Sequence, residues 1–292
     1  MRVWLSWFSV LLWLGANAVS PAGAVIIDSG DGSGNTTAPS PDPGWAHLGI
    51  GLGNGLTIVY LGDGAVLTAN HVGPQSVLLG GVTYASVPGS DVRISNGDGS
   101  FADLLLFEIF PRPSLPSLTI ASATPSMGTA IIAGGRGRNR GPATSWNPPG
   151  PGGSIDGYLW DPGNTLRWGT NHVEVFPAER VLGTESIGST FDEFAANSPH
   201  ECQAATGDSG GAAFVDNGGN WELAGLLFAI AEFENQPADT SLYGQLTYFA
   251  DLAFYKAEIE NLVMMPEPRG ALGWGGLGVC ALAALRRRRA RA

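Results

Sequence analysis

Short apolar runs, each closed by turn residues, set the limits on what this chain can fold into. Leu56-Thr57-Ile58-Val59-Tyr60 and Ala65-Val66-Leu67-Thr68 flank Gly62-Asp63-Gly64. β-branched residues on either side of an Asp-Gly pair predict an antiparallel hairpin with a tight turn. Further runs fall at residues 76–79, 82–87, 92–95, 101–109, 118–121 and 129–133. They resume at 166–168, 172–176, 211–215, 221–230 and 246–249. Strands at such spacing, about 8–12 residues from turn to turn, suit a small barrel or sandwich. The 43 glycines and 20 prolines supply the turns and argue against a helix bundle.

One helix is expected, at 251–262. Leu252, Tyr255, Ile259 and Leu262 share a face there, with Lys256, Glu258 and Glu260 elsewhere. That face is expected to dock on the second half of the chain. Residues 28–44 are nearly all Gly, Ser, Thr, Asn, Asp and Pro. They read as a mobile segment, with no strand to tuck a processed amino terminus into a core. A second Gly/Pro/Arg/Asn-rich stretch at 134–163 reads as a connection between halves. The expected divisions are a leader at 1–24, a flexible segment at 25–44, a first β-barrel at 45–140 and an inter-barrel linker at 141–163. A second barrel with the helix follows at 164–262, and a tail at 265–292.

Both ends carry targeting signals. Arg2 precedes an apolar run, and Ala16-Asn17-Ala18 or Ala22-Gly23-Ala24 offers a cleavage site, the pattern of a secretory leader. At the other end come Pro266-Glu267-Pro268, an uncharged apolar run over 270–285, and Arg286 to Arg289. That run is short for a stable span, which needs about 20 residues, and the arginines would stay cytoplasmic. The three parts in this order resemble the PEP-CTERM sorting signal of Gram-negative bacteria. The resemblance implies transient membrane association through 270–285, cleavage by an exosortase-type enzyme, and delivery to the cell surface or matrix. The formal charge of −11 includes six arginines in these ends. Without them nine basic residues face 26 acidic ones, a net of −17. A body that acidic repels phosphate backbones, so nucleic acid is not an expected partner. With only Cys202 and Cys280, a disulfide framework is excluded.

Three residues stand in settings that carry chemistry. His71 closes Leu67-Thr68-Ala69-Asn70-His71. Asp103 opens the apolar run Asp103-Leu104-Leu105-Leu106. Ser209 lies in Thr206-Gly207-Asp208-Ser209-Gly210-Gly211. A serine hydroxyl is a poor nucleophile without a base, and the base needs an acid to orient it. Taken singly, each is an ordinary strand-end histidine, turn acid or turn serine. Together, in the order His, Asp, Ser, they resemble the chymotrypsin-like serine proteases. Gly128 to Gly134 is similar to the last strand of that family's first barrel, and the terminal helix also fits.

The resemblance implies an all-β fold of two six-stranded antiparallel Greek-key barrels with a C-terminal helix, and a site in the cleft between them. His71 would act as general base and acid, Asp103 would orient it, and Ser209 would attack. The amides of Gly207 and Ser209 would form the oxyanion hole. Asp208 would hold the oxyanion loop, in many members by pairing with a buried amino terminus. Gln203 falls at the pocket floor and Ile230 on the pocket wall, which points to a small or apolar residue before the cleaved bond. The expected substrate is a protein or peptide, and the expected state a monomer, with no cofactor and no metal. The sequence departs from the family at Val72, where many animal members have a disulfide cysteine. No Ile-Val-Gly-Gly-like activation sequence precedes the first barrel. His47, His172 and His200 are assigned to structure or surface. Cys202 is read as a buried or loop thiol and not a nucleophile, because no Cys-His context surrounds it.

Overall fold

The computed structural model describes residues 23–193 and 198–264. The apolar tail and nearly all of the leader lie outside the described residues. Among the described residues no helix is long and apolar enough to cross a membrane.

The first unit is a closed antiparallel barrel. Its strands are β2 (Leu48–Gly51), β3 (Thr57–Gly62), β4 (Ala65–Thr68), β5 (Val77–Leu79), β6 (Val82–Ser86) and β8 (Phe101–Phe110), with β7 (Val92–Ser95) added beside β8. They run β4-β3-β2-β5-β6-β8, and pairing of β4 with β8 closes the ring. The expected hairpin is β3–β4, turned by Asp63 at φ 51° and Gly64 at φ 90°. Ile58, Tyr60, Val66, Val77, Leu105 and Phe107 fill this unit's own core.

The second unit is a curled, seven-stranded half-barrel in the order β11-β16-β14-β13-β9-β10-β15, and its ends do not pair. Its strands are β9 (Ala130–Trp146), β10 (Ile155–His172), β11 (Ser186–Thr190), β13 (Ala212–Asn217), β14 (Asn220–Ala231), β15 (Thr240–Leu242) and β16 (Leu246–Asp251). Beside them β12 (Cys202–Ala205) forms a two-stranded sheet with β1 (Gly23–Ile27). The two-barrel plan holds, with the second barrel left open.

Four readings of the sequence need correction, the fourth at the helix. Residues 141–163 are not a linker, because β9 and β10 form one long hairpin paired from Ala130–His172 out to Trp146–Ile155. Gly128 to Gly134 leads into this hairpin, so it belongs to the second unit and not to the first barrel. Nor is 25–44 a free segment. Val25, Ile26 and Ile27 are at most 1 % exposed, each burial worth roughly 1.5–3 kcal/mol. Beyond them Arg140 donates to the carbonyls of Ile27, Asp28 and Gly30, and Arg167 to that of Gly34.

The helix α1 (Leu252–Met264) buries Leu252, Tyr255 and Ile259, as its periodicity predicts. It docks on both units, not the second alone. The Tyr255 hydroxyl donates to Asn96 Oδ1 beyond β7 at 2.7 Å and accepts the Glu185 N–H at 2.8 Å. Glu258 accepts the Ser95 N–H. The largest core cluster runs across the same seam, from Val59, Leu67 and Leu104 to Leu226, Phe228 and Tyr255.

Candidate active site

Strand register brings His71 and Asp103 together. β4 pairs with β8 through Thr68 and Leu105, so three residues past Thr68 the chain is opposite the start of β8. The Asn70 N–H donates to the Asp103 main-chain oxygen at 3.2 Å. Asp103 then holds His71 at two points: Oδ1 accepts the main-chain N–H at 3.0 Å, and Oδ2 lies 2.6 Å from Nδ1. Thr184 of the second unit reaches across, and its Oγ1 accepts the Asp103 N–H at 2.8 Å.

Ser209 comes from the other unit, on the loop between β12 and β13. Its Oγ lies 2.7 Å from His71 Nε2. The three residues singled out in the sequence thus form one hydrogen-bonded chain across the seam. Side chains of His71 and Asp103 are 31 % and 16 % exposed, whereas Ser209 is fully buried.

The loop geometry requires its glycines. Gly207 has φ 103° and Gly210 φ 84°, values that a side chain resists. A Cβ on Gly210 would lie 2.0 Å from the Thr57 main-chain oxygen and 2.4 Å from Thr68 Oγ1. Gly210 N–H donates to Leu227 O and Gly211 N–H to Asp208 O, which pins the loop to β14 and to itself.

Asp208 lies in the interior, 0 % exposed, with its carboxyl against Gly135. Its Oδ2 accepts the Ala205 N–H at 3.0 Å. Burial pushes the carboxyl well above the usual carboxylate range, opposed by the Ala205 N–H and the Arg167 charge. The Val25 main-chain N–H also favours the charged form, yet Oδ1 has no hydrogen-bond partner among the described residues. Val25 is the site residue that the sequence reading missed. Its signal was present: three β-branched apolar residues, Val25-Ile26-Ile27, directly after Ala22-Gly23-Ala24.

The two positions expected at a pocket, Gln203 and Ile230, both meet Thr247. Gln203 is 1 % exposed, and its Oε1 accepts the Thr247 hydroxyl at 3.1 Å. Its Nε2 donates to Leu246 O at 3.3 Å, so the amide is already engaged. Ile230 is half-buried and pairs with Thr247 across β14 and β16. Glu201 lies deeper. It is 3 % exposed, accepts from Asn171 at 2.6 Å, and is pushed up to about 8 by burial. Burial likewise raises the Cys202 thiol well above its ordinary range and keeps it protonated, which makes it a poor nucleophile. His47 is buried with Nδ1 2.7 Å from Tyr60 O, and His200 meets Ser29 and Trp168, so neither approaches Ser209.

No protein-family model matches this sequence, and no curated protein matches it either. Solved structures do match in fold. A mutant of human heparin binding protein aligns with a TM-score of 0.52 and 16 % identity, over 82 % of this chain and 99 % of its own. Neuropsin, a serine protease expressed in the limbic system of mouse brain, aligns with a TM-score of 0.49 and 16 % identity, over 78 % of this chain and 98 % of its own. The architecture is therefore the double-barrel fold of the chymotrypsin-like serine proteases.

Proposed function

We propose that this protein is a serine endopeptidase whose reacting groups are Ser209, His71 and Asp103. The observation that carries the reading is the unbroken chain from Asp103 Oδ2 to His71 Nδ1 at 2.6 Å and from Nε2 to Ser209 Oγ at 2.7 Å. His71 takes the Ser209 proton as Oγ attacks the peptide carbonyl. Asp103 fixes the tautomer and stabilises the imidazolium. The amides of Gly207 and Ser209 receive the oxyanion, each worth about 3 kcal/mol in the transition state. His71 then protonates the departing amine, and water cleaves the acyl-enzyme by the reverse sequence. Casein turnover tests this. Cleavage by the wild type and none by Ser209→Ala supports it, and equal cleavage by both rejects it.

A second reading is a catalytically weak binding protein, a pseudo-protease or surface-matrix component on the same scaffold. It draws on the complete burial of Ser209, which leaves a substrate no open path to Oγ without a shift of neighbouring atoms. Tight binding of peptides without turnover would favour it.

Export and sorting complete the proposal and rest on the sequence alone. Residues 1–24 direct secretion, and the tail from Pro266 holds the chain at the membrane through 270–285 until an exosortase-type enzyme passes it to the surface of a Gram-negative cell. Leader cleavage after Ala24 would place the new Val25 ammonium beside Asp208. The working protein is a monomer acting on protein or peptide substrates.

A further inference from the structure

The sheet beneath Ser209 gives a bound peptide two unlike sides. Ser209 leads into β13, which lies between β14 and β9. On the β14 side, Gly210 and Gly211 are tied to Leu227 by main-chain hydrogen bonds, and Ile230 follows along the strand. On the β9 side stand Arg136 and Arg138. The Arg136 main-chain N–H donates to Thr57 Oγ1 at 2.8 Å, and its Nη1 donates to Gly55 O at 2.5 Å. Thr57 in turn abuts Gly210. The Arg138 main-chain N–H donates to Thr206 O at 3.3 Å, on the loop that carries Gly207 and Ser209. Both arginines therefore rise from backbone that touches the Ser209 loop or its nearest support.

Their charges are unequally committed. Arg140, further along the hairpin, and Arg167, opposite Gly135, are engaged by carbonyls of residues 27–34. Arg136 is engaged at Gly55 through one nitrogen. The half-buried Arg138 guanidinium has no hydrogen bond or ion pair among the described residues. A chain with 26 acidic residues against 15 basic ones thus concentrates four arginines on one hairpin, and the uncommitted one has its main chain bonded to Thr206 of the loop that carries Ser209. An unpaired guanidinium on a half-buried residue is a ready partner for a carboxylate.

We infer that Arg138, backed by Arg136, selects peptides that carry a carboxylate side chain on the leaving-group side of the cleaved bond. This rests on the endopeptidase reading, in which the residue before the bond is received at Gln203 and Ile230. A chain crossing Ser209 from that side runs on toward β9, where Arg138 stands. Partly exposed ion pairs of this kind shift kcat/KM by about fivefold, and salt weakens them.

Two internally quenched peptides test the inference. Both are built around one bond that the protein cleaves in casein, and they differ only in Glu or Lys two residues after that bond. The wild type favours Glu by about fivefold at low salt, and the ratio shrinks as salt rises. Arg138→Gln brings the ratio close to one, and Arg138→Glu inverts it. Arg112→Gln, which removes an exposed arginine of the first unit, keeps the wild-type ratio. A wild-type ratio near one, or an unchanged ratio in Arg138→Gln, overturns the inference and leaves the endopeptidase reading standing. Loss of both turnover and fluorophosphonate labelling in the wild type overturns that reading and the inference with it.

Discussion

Asp103 grips His71 at two points, its Oδ1 on the main-chain N–H at 3.0 Å and its Oδ2 on Nδ1 at 2.6 Å. The first contact fixes the backbone and the second fixes the ring, so the imidazole has one orientation and one tautomer when it meets Ser209. An amide in place of the carboxylate accepts through only one of its two positions. Asp103→Asn is expected to lower kcat about a thousandfold to ten-thousandfold with a much smaller change in KM. Steady-state kinetics on a fluorogenic peptide checks this, and a variant within tenfold of the wild type would contradict it.

The Val25–Asp208 relationship predicts that processing matters. Asp208 is fully buried with one oxygen unsatisfied, and Val25 begins at its side. A chain starting at Val25 supplies an ammonium there. A chain that keeps even a few residues before Val25 supplies only an amide. The processed form is expected to label with a fluorophosphonate about tenfold faster, since a buried polar group left unsatisfied costs about 1–3 kcal/mol. Equal labelling rates for the two forms would show that the oxyanion loop is set without the new terminus.

Glu201 gives the fold a pH dependence with a definite sign. Burial lifts its carboxyl from the ordinary 4.5 to about 8. Between those values the unfolded chain has lost the proton and the folded chain keeps it, so stability falls as pH rises through this window. Below pH 4.5 both states are protonated and the effect is absent; above about 8 it levels off. Each pH unit within the window costs at most about 1.4 kcal/mol. Asp192, Glu232 and Asp251 are raised in the same direction by burial and add to the trend. Glu201→Gln mimics the neutral acid and keeps the Asn171 contact, so its Tm is expected to drop less than that of the wild type between pH 5 and pH 8. Parallel Tm profiles would contradict the assignment.

Tyr255 ties α1 to both units through one hydroxyl, donating to Asn96 and accepting from Glu185. Tyr255→Phe keeps the ring and leaves both partners unmet in the interior. A loss of about 1–3 kcal/mol is expected, read by urea unfolding with an unchanged m-value. A loss below about 0.5 kcal/mol would mean that the helix holds the seam by apolar packing alone.

Local sequence carried much of this structure. Asp63-Gly64 announced the β3–β4 hairpin because that turn needs residues tolerant of positive φ, and the β4–β8 pairing then set His71 beside Asp103. The residues that came together at Ser209 were all legible in short motifs. The β9–β10 hairpin was not. Its strands run through Gly134, Gly135, Gly137, Gly141 and Gly157, residues with little strand preference of their own, and pairing along the whole hairpin makes them strands. Val25–Ile27 was missed for a different reason: its β-branched run marks a strand, but the partner is β12, far along the chain, and the run alone does not name it. The second docking surface of α1 lay in a tyrosine hydroxyl, which helical periodicity counts only as part of an apolar face.

The central claim is that Ser209 is an activated nucleophile, and covalent capture tests it most directly. The processed protein is treated with a fluorophosphonate and examined by intact mass and peptide mapping. One adduct on Ser209 is predicted, absent in Ser209→Ala and strongly slowed in His71→Ala. No adduct on the wild type, or an adduct that persists unchanged in Ser209→Ala, would contradict the account.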